Sequence, residues 1–296
     1  MPESASEKRL ERIALRYQKN NLRAADGSRV IMAYLKNRGI SFEILYADET
    51  PTNIRPVSAE EEQVLESIDM IISLGGDGTF LSSARLATRK CIPVFGVNLG
   101  GLGFLTEVRL EEALKGLDRV LNGDFHIEER IMIETDVICD GVLRTCTAFN
   151  DIVFHRVSLS RMVTIEVSID EHPIVSYEAD GIIVSTPTGS TAYSLSAGGS
   201  ILWPDLEALI ITPISPHTLG SRPIIMPSEK VIGVRCPTAH KSEISVTLDG
   251  QQSRQYNYPV SFNIRKSASK AKLVRIEQKN FGQILREKLN WGSTFK

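Results

Sequence analysis

Apolar and polar positions follow two alternating patterns in the first part of the chain and settle into one after about residue 125. Residues 12–17 (RIALRY) form a compact apolar run that predicts a strand, and residues 24–37 carry apolar positions at helical spacing that stop at Gly39. Residues 42–46 predict a second strand. Ser58 and Glu61 stand three apart, as in a capping box, and predict a short helix through residue 66. Residues 70–74 (MIISL) are apolar almost without a break, as expected of a strand buried on both faces of a parallel sheet. Phe80, Leu81, Ala84 and Ala87 predict a helix with Thr79 as its N-cap. Residues 93–97 predict a further strand, and Leu110, Ala113, Leu114, Leu117, Val120 and Leu121 mark an amphipathic helix. This alternation predicts a Rossmann-like α/β domain over residues 1–124.

Beyond it, short β-type segments follow one another with turn signals between them. Residues 131–138 and 142–149 flank Asp140 and Gly141 and read as a hairpin. Segments 162–169, 173–177, 182–185, 209–212, 231–235, 244–248, 260–265 and 273–276 continue the series, which predicts a β-sandwich domain over 125–277. Residues 281–289 predict a helix, and 278–296 are expected to pack back on the first domain. Residues 1–11 read as a loose tail.

Composition narrows the function classes. Of 296 residues, 42% are apolar and 24% charged, with a net charge of −2, so no global basicity points to nucleic acid. No apolar run approaches membrane-spanning length, and the charged first twenty residues predict no secretory signal. Cys91, Cys139, Cys146 and Cys236 form no CxxC pair and read as reduced thiols of a cytoplasmic protein. The five histidines show no close pair, so no zinc site is expected.

Candidate chemistry gathers in two places. After the 70–74 strand comes Gly75-Gly76-Asp77-Gly78-Thr79. Glycines let a ligand approach the main chain, and the N-terminus of the helix that follows offers N–H groups to an anion. An acid beside bound phosphate repels it unless the acid meets a hydroxyl or a metal ion. Asp77 therefore suggests phosphoryl transfer, with the carboxylate accepting the proton of an attacking hydroxyl. The plain alternative is an Asp-Gly turn. A second glycine-rich loop, residues 98–105, follows the next strand, where ligands gather in α/β sheets. In the β-rich half, Asn150 and Asp151 stand between apolar runs, either as an Asx turn or as a pair suited to a sugar diol or a base edge. Residues 180–199 (DGIIVSTPTGSTAYSLSAGG) are dense in small hydroxylated residues and include Tyr193 and Leu195, which fits a nucleoside pocket better than a solvated loop. The basic run Arg265, Lys266, Lys270, Lys272 and Arg275 reads as a solvated strand and turn, and His155 and His217 as structural residues. Neither a Walker A pattern nor GxGxxG is present.

GGDGTFL (residues 75–81), the Asn150-Asp151 pair, DGIIVSTPTGSTAYSLSAGG, SRPIIMP (221–227) and LREKLNWG (285–292), in this order, resemble the NAD kinase family, over nearly the whole chain from about residue 12 to 292. GGDGT alone also resembles lipid kinases and phosphofructokinases; the long STPTGSTAYSLSAGG block is specific. The resemblance implies transfer of the γ-phosphoryl of ATP to the 2′-hydroxyl of the adenosine ribose of NAD, with Mg²⁺ bridging the donor phosphates. It makes Asp77 the proton acceptor and assigns Gly75, Gly76, Gly78 and Thr79 to the ATP phosphates, Asp77 and Gly78 also lying beside the dinucleotide. It implies dinucleotide contacts at Phe104, Asn150, Asp151, Arg161, Asp180 and Gln251, and around the adenosine at Thr191, Ala192, Tyr193, Ser194, Leu195 and Ser196. It further implies a homodimer or homotetramer, with no nucleic-acid or membrane partner. The chain departs from many members in having Ser82 where they carry Arg or His, Glu178 where they carry a basic residue, and Asp151 where others have Glu. Two rival readings are a GGDGT-type lipid kinase and a non-catalytic NAD(P)-sensing module.

Overall fold

A computed structural model of the chain describes residues 10–48, 52–54, 56–101, 103–139, 141–157, 162–218, 220–237, 243–276 and 280–289. Among the described residues, no helix is long and apolar enough to cross a membrane. The chain divides into two compact units, one of residues 1–48, 57–129 and 272–296, the other of 49–56 and 130–271.

The first unit is built on a seven-stranded sheet in the order Ser41–Ala47, Arg12–Gln18, Met70–Gly75, Pro93–Asn98, Ala271–Arg275, His126–Arg130, with Val108–Arg109 paired beside Pro93–Asn98. The pairings from Ser41–Ala47 through Ala271–Arg275 are parallel. Alternate residues of these strands (Ile13, Leu15, Ile72, Leu74, Phe95, Val97) pack against Ile31 and Leu35 of helix Leu22–Asn37 and Leu117 and Val120 of helix Ala113–Leu121. The strand Met70–Gly75 is buried at every position, which is why its sequence shows no polar alternation. The capping box forms as its sequence implies: Ser58 N–H donates to Glu61 Oε2 (2.9 Å) and Glu61 N–H to Ser58 Oγ (3.1 Å), opening helix Ala59–Leu65.

Three expectations differ. Thr79 is not an N-cap: helix Asp77–Thr88 starts three residues earlier than that cap implies, with Gly76 at the cap and Asp77 in its first turn. A carboxylate is favoured at that positive helix end. The helix expected from residue 110 begins with a 3₁₀ turn, Leu110–Glu112, before turning α-helical. Strands His126–Arg130 and Ala271–Arg275, which fall in the β-rich part of the sequence, pair into the first unit's sheet. A short strand's own pattern does not say which sheet will take it.

The second unit is a sandwich of two largely antiparallel sheets. One runs Ile224–Pro227, Ala208–Ile214, Gly181–Ser185, Asp151–Arg156, Glu243–Leu248, Gln252–Asn257, Thr52–Asn53; the other runs His172–Ala179, Val163–Ile169, Ile232–Cys236, Val260–Lys266, Ile133–Cys139, Val142–Ala148. Ile152, Phe154, Ile182, Val184 and Val246 of the first sheet and Ile165, Val167, Val234, Phe262 and Ile264 of the second belong to one buried core. On Asp151–Arg156 the alternation sends Ile152 and Phe154 into that core, so Asp151, Val153 and His155 share the opposite face.

The basic run is absorbed by ion pairs. Arg265 pairs with Glu134 and Asp136, and Lys266 and Lys270 with Glu207. Arg275 reaches into the first unit's core, where its guanidinium meets Glu107 (3.0 Å), Glu128 (2.6 Å) and the carbonyl of Leu105 (3.1 Å). Glu107 also accepts the Ile276 N–H at 3.1 Å. Removing one partner of a buried pair strands the other charge. Glu107→Ala is expected to destabilise the protein by about 3 kcal/mol in urea unfolding, the low end of that class because Glu128 remains. A loss below about 1 kcal/mol contradicts a structural role for the pair.

Candidate active site

The first unit holds two adjoining glycine loops. Gly76 and Gly78 are exposed, and Asp77 and Thr79 are half-buried at the head of helix Asp77–Thr88. The second loop, at the end of strand Pro93–Asn98, is organised by Asn98 and Thr106. Asn98 Oδ1 accepts the Gly100 N–H (2.6 Å), and Thr106 Oγ1 accepts from Asn98 Nδ2 (2.9 Å) and the Gly103 N–H (3.2 Å). The loop closes on Asp77: Phe104 N–H donates to Oδ2 at 2.9 Å and Leu105 N–H to Oδ1 at 3.2 Å. Gly103 must be glycine here, because a Cβ would overlap the Asp77 carboxylate. Each Asp77 oxygen keeps a lone pair beyond its amide bond, so the acid is oriented by the loop and can still accept a proton. Ser82 turns its hydroxyl back to the Thr79 carbonyl (2.9 Å).

The second unit, by itself, holds a corner and a cavity. Asp249 and Gly250 both have positive φ (51° and 64°), and Gln251 N–H donates to the Leu248 carbonyl at 2.9 Å. That is the tight hairpin turn favoured by Asp-Gly between strands Glu243–Leu248 and Gln252–Asn257. It sets the Asp249 carboxylate against three consecutive amides: Phe149 (3.0 Å), Asn150 (2.6 Å) and Asp151 (3.1 Å). The Asn150 carbonyl accepts from Thr186 N–H (2.9 Å) and Ser185 Oγ (3.1 Å), and Gly189 lies so close beneath it that a Cβ would collide. Asn150 Oδ1 is buried with no hydrogen-bond partner. A cavity of about 430 Å³ opens here, lined by Asn150, Asp151, Val153, His155, Ala192, Tyr193, Ser245, Thr247, Asp249 and Gly250. Asp151 is 3% exposed, and burial, then the charge of Asp249, push its carboxyl up to about 8.

Of the residues singled out from sequence, Gly75 ends strand Met70–Gly75, Gly76 caps helix Asp77–Thr88, Asp77, Gly78 and Thr79 form that helix's first turn, and Phe104 lies in the loop that closes on Asp77. Asn150, Asp151, Ala192 and Tyr193 come together around the cavity. Thr191 turns its hydroxyl to the Thr188 carbonyl (3.2 Å), Ser194 is buried against Thr212 Oγ1 (2.9 Å), and Leu195 and Ser196 do not line the cavity. Gln251 closes the Asp249 turn, its carbonyl accepting the Thr52 N–H. Asp180 is not brought to Asn150 and Asp151. The register His155↔Gly181 and Asp151↔Ser185 sets it at the far end of the same strand pair, roughly 17 Å away by strand rise, with its carboxylate on Arg156 Nε at 2.8 Å. Arg161 lies outside the described residues. Asp249, Ser245 and Thr247 were not singled out, and His155 was set aside as structural. The Asp-Gly pair directly after the apolar segment 244–248 was the available signal for Asp249.

The chain matches the models of the ATP-NAD kinase N-terminal domain over residues 3–125 and the ATP-NAD kinase C-terminal domain over 149–276. It is 44% identical to an NAD kinase of Heliobacterium modesticaldum over 236 residues, 79% of this chain and 83% of that one. It is 41% identical to an NAD kinase of Moorella thermoacetica over 264 residues, 89% and 84% of the two chains. A crystal structure of an NAD kinase from Archaeoglobus fulgidus in complex with ATP superposes with a TM-score of 0.73 at 28% identity, covering 94% of this chain and 98% of that one. A yeast NADH kinase complexed with NADH shares the fold, with a TM-score of 0.85 at 24% identity over 98% and 90% of the chains. With both domain models matched in order and relatives this similar over most of their length, the chain belongs to the NAD kinase family.

Proposed function

We propose that this NAD kinase moves the γ-phosphoryl group of ATP to the adenosine 2′-hydroxyl of NAD with Asp77 as the general base. The observation that carries this reading is the pair of amide bonds from Phe104 and Leu105 to Asp77, which hold a carboxylate at an exposed glycine turn. A carboxylate so held accepts the hydroxyl proton as the oxygen attacks phosphorus, and the orientation is in place before the substrate arrives. The exposed main chain of Gly76 and Gly78, at the head of a twelve-residue helix, favours phosphate oxygens. In the second unit, the unpartnered Asn150 Oδ1 supports a role as acceptor for a hydroxyl of the dinucleotide.

Among the described residues no group of three or more His, Cys, Asp or Glu side chains is arranged to hold a metal. A Mg²⁺ would enter with the phosphates of ATP, and the loop amides would hold those phosphates. When bound, the ion neutralises charge on the transferring group.

Two variants test the assignment. Asp77→Asn keeps shape and an amide-accepting oxygen but cannot take a proton. NADP formation, read by a coupled NADP-specific dehydrogenase, is expected to fall about 10²–10⁴-fold with the circular dichroism spectrum unchanged. Turnover near the parent rate removes Asp77 from the proton transfer. Gly103→Ala forces the loop off Asp77 and is expected to lower kcat at least about tenfold. A kcat equal to the parent's means the loop does not set the position of the acid.

A further inference from the structure

The acid at the cavity corner carries an inference that rests on the dinucleotide reading above. Asp151 and Asp249 line the same cavity, and Asp151 is almost fully buried. Two carboxylates in one desolvated place do not both stay charged without a cation. Among the described residues, no Lys or Arg lines this cavity. The titratable groups that face Asp151 are Asp249 from the hairpin turn, His155 from its own strand and Tyr193 from the short helix Tyr193–Ser196; strand Glu243–Leu248 adds only Ser245 and Thr247. His155 commits its Nδ1 proton to the Arg156 carbonyl at 2.7 Å.

The two acids differ in their partners. Asp249 spends its carboxylate oxygens on three main-chain N–H bonds. Asp151 has its own amide tied to Asp249 and its carboxyl enclosed beside that charge. We propose that Asp151 is the protonated member of the pair at neutral pH and meets the bound dinucleotide as a hydrogen-bond donor. Asn150, which lines the same cavity, has a buried Oδ1 with no hydrogen-bond partner. One donor next to one acceptor matches a sugar hydroxyl, which is both, and suits the vicinal diol of a ribose better than an anionic group.

The sign of the pH dependence follows. An acid whose proton is held to about 8 is neutral below that value and ionised above it. A donor role therefore predicts NAD affinity that is constant from about pH 6.5 to 8 and then weakens, by up to about tenfold per pH unit. Two measurements test this on the full chain. The first is ¹³C NMR of the aspartate carboxyl carbons in the ligand-free protein, with Asp151 assigned by the signal lost in Asp151→Asn, or by through-bond correlation if that variant does not fold. A midpoint near 8 is expected, and one near 4 overturns the proposal whether or not NAD binds. The second is NAD affinity by calorimetry across the same pH range. Asp151→Asn, which presents a permanent N–H donor, is expected to flatten the profile, while an undiminished slope in that variant assigns the titration to another group and overturns the proposal. A protein that binds no NAD at any pH contradicts the dinucleotide reading itself, and the donor role with it, even with an NMR midpoint near 8.

Discussion

Carboxylates that accept main-chain amides hold the functional loops of this protein. Loops that leave a sheet ladder carry N–H groups with no strand to receive them, and a buried unpaired N–H costs about as much as a lost hydrogen bond. Asp77 takes two such groups from the second glycine loop, and Asp249 takes three from the corner before strand Asp151–Arg156. Glu107 takes the Ile276 N–H while pairing with Arg275, whose guanidinium also holds the Leu105 carbonyl. The chain of support thus runs from a C-terminal strand through Arg275 and the loop to Asp77.

The two acidic centres divide the work differently. At the first, a single carboxylate is oriented by amides and left with lone pairs for a proton. At the second, two carboxylates that line one cavity differ in their surroundings. Asp249 absorbs the amides, and the enclosed Asp151 is pushed up to about 8 by burial and by that neighbour. Small residues make both arrangements possible, because Gly103 and Gly189 let main chain approach where any Cβ would collide.

Much of this was legible in the sequence, for local reasons. The buried strand, the glycine turn and the helix after it are contiguous, so pattern and turn chemistry point to one element. The Ser58–Glu61 box is a pair three residues apart, and it formed. What escaped was non-local or polar. Strand Gln252–Asn257 (QSRQYN) has no apolar period to read. Strand Ala271–Arg275 joins a sheet whose other strands lie far back in sequence. Asp180 stands beside a strand that does reach the Asn150 corner, but at its other end, a matter of register that no motif states. Asp249 was marked only by an Asp-Gly pair, and its partners stand about a hundred residues earlier.

On the proposed reading, an oriented carboxylate deprotonates one particular hydroxyl of NAD. The most direct measurement is turnover of two NAD analogues, each lacking one hydroxyl of the adenosine ribose, followed by ³¹P NMR of the products with ATP and Mg²⁺. With Asp77 acting on the 2′-hydroxyl, a new phosphomonoester is expected from the 3′-deoxy analogue and none from the 2′-deoxy analogue. A phosphorylated product from the 2′-deoxy analogue would contradict it.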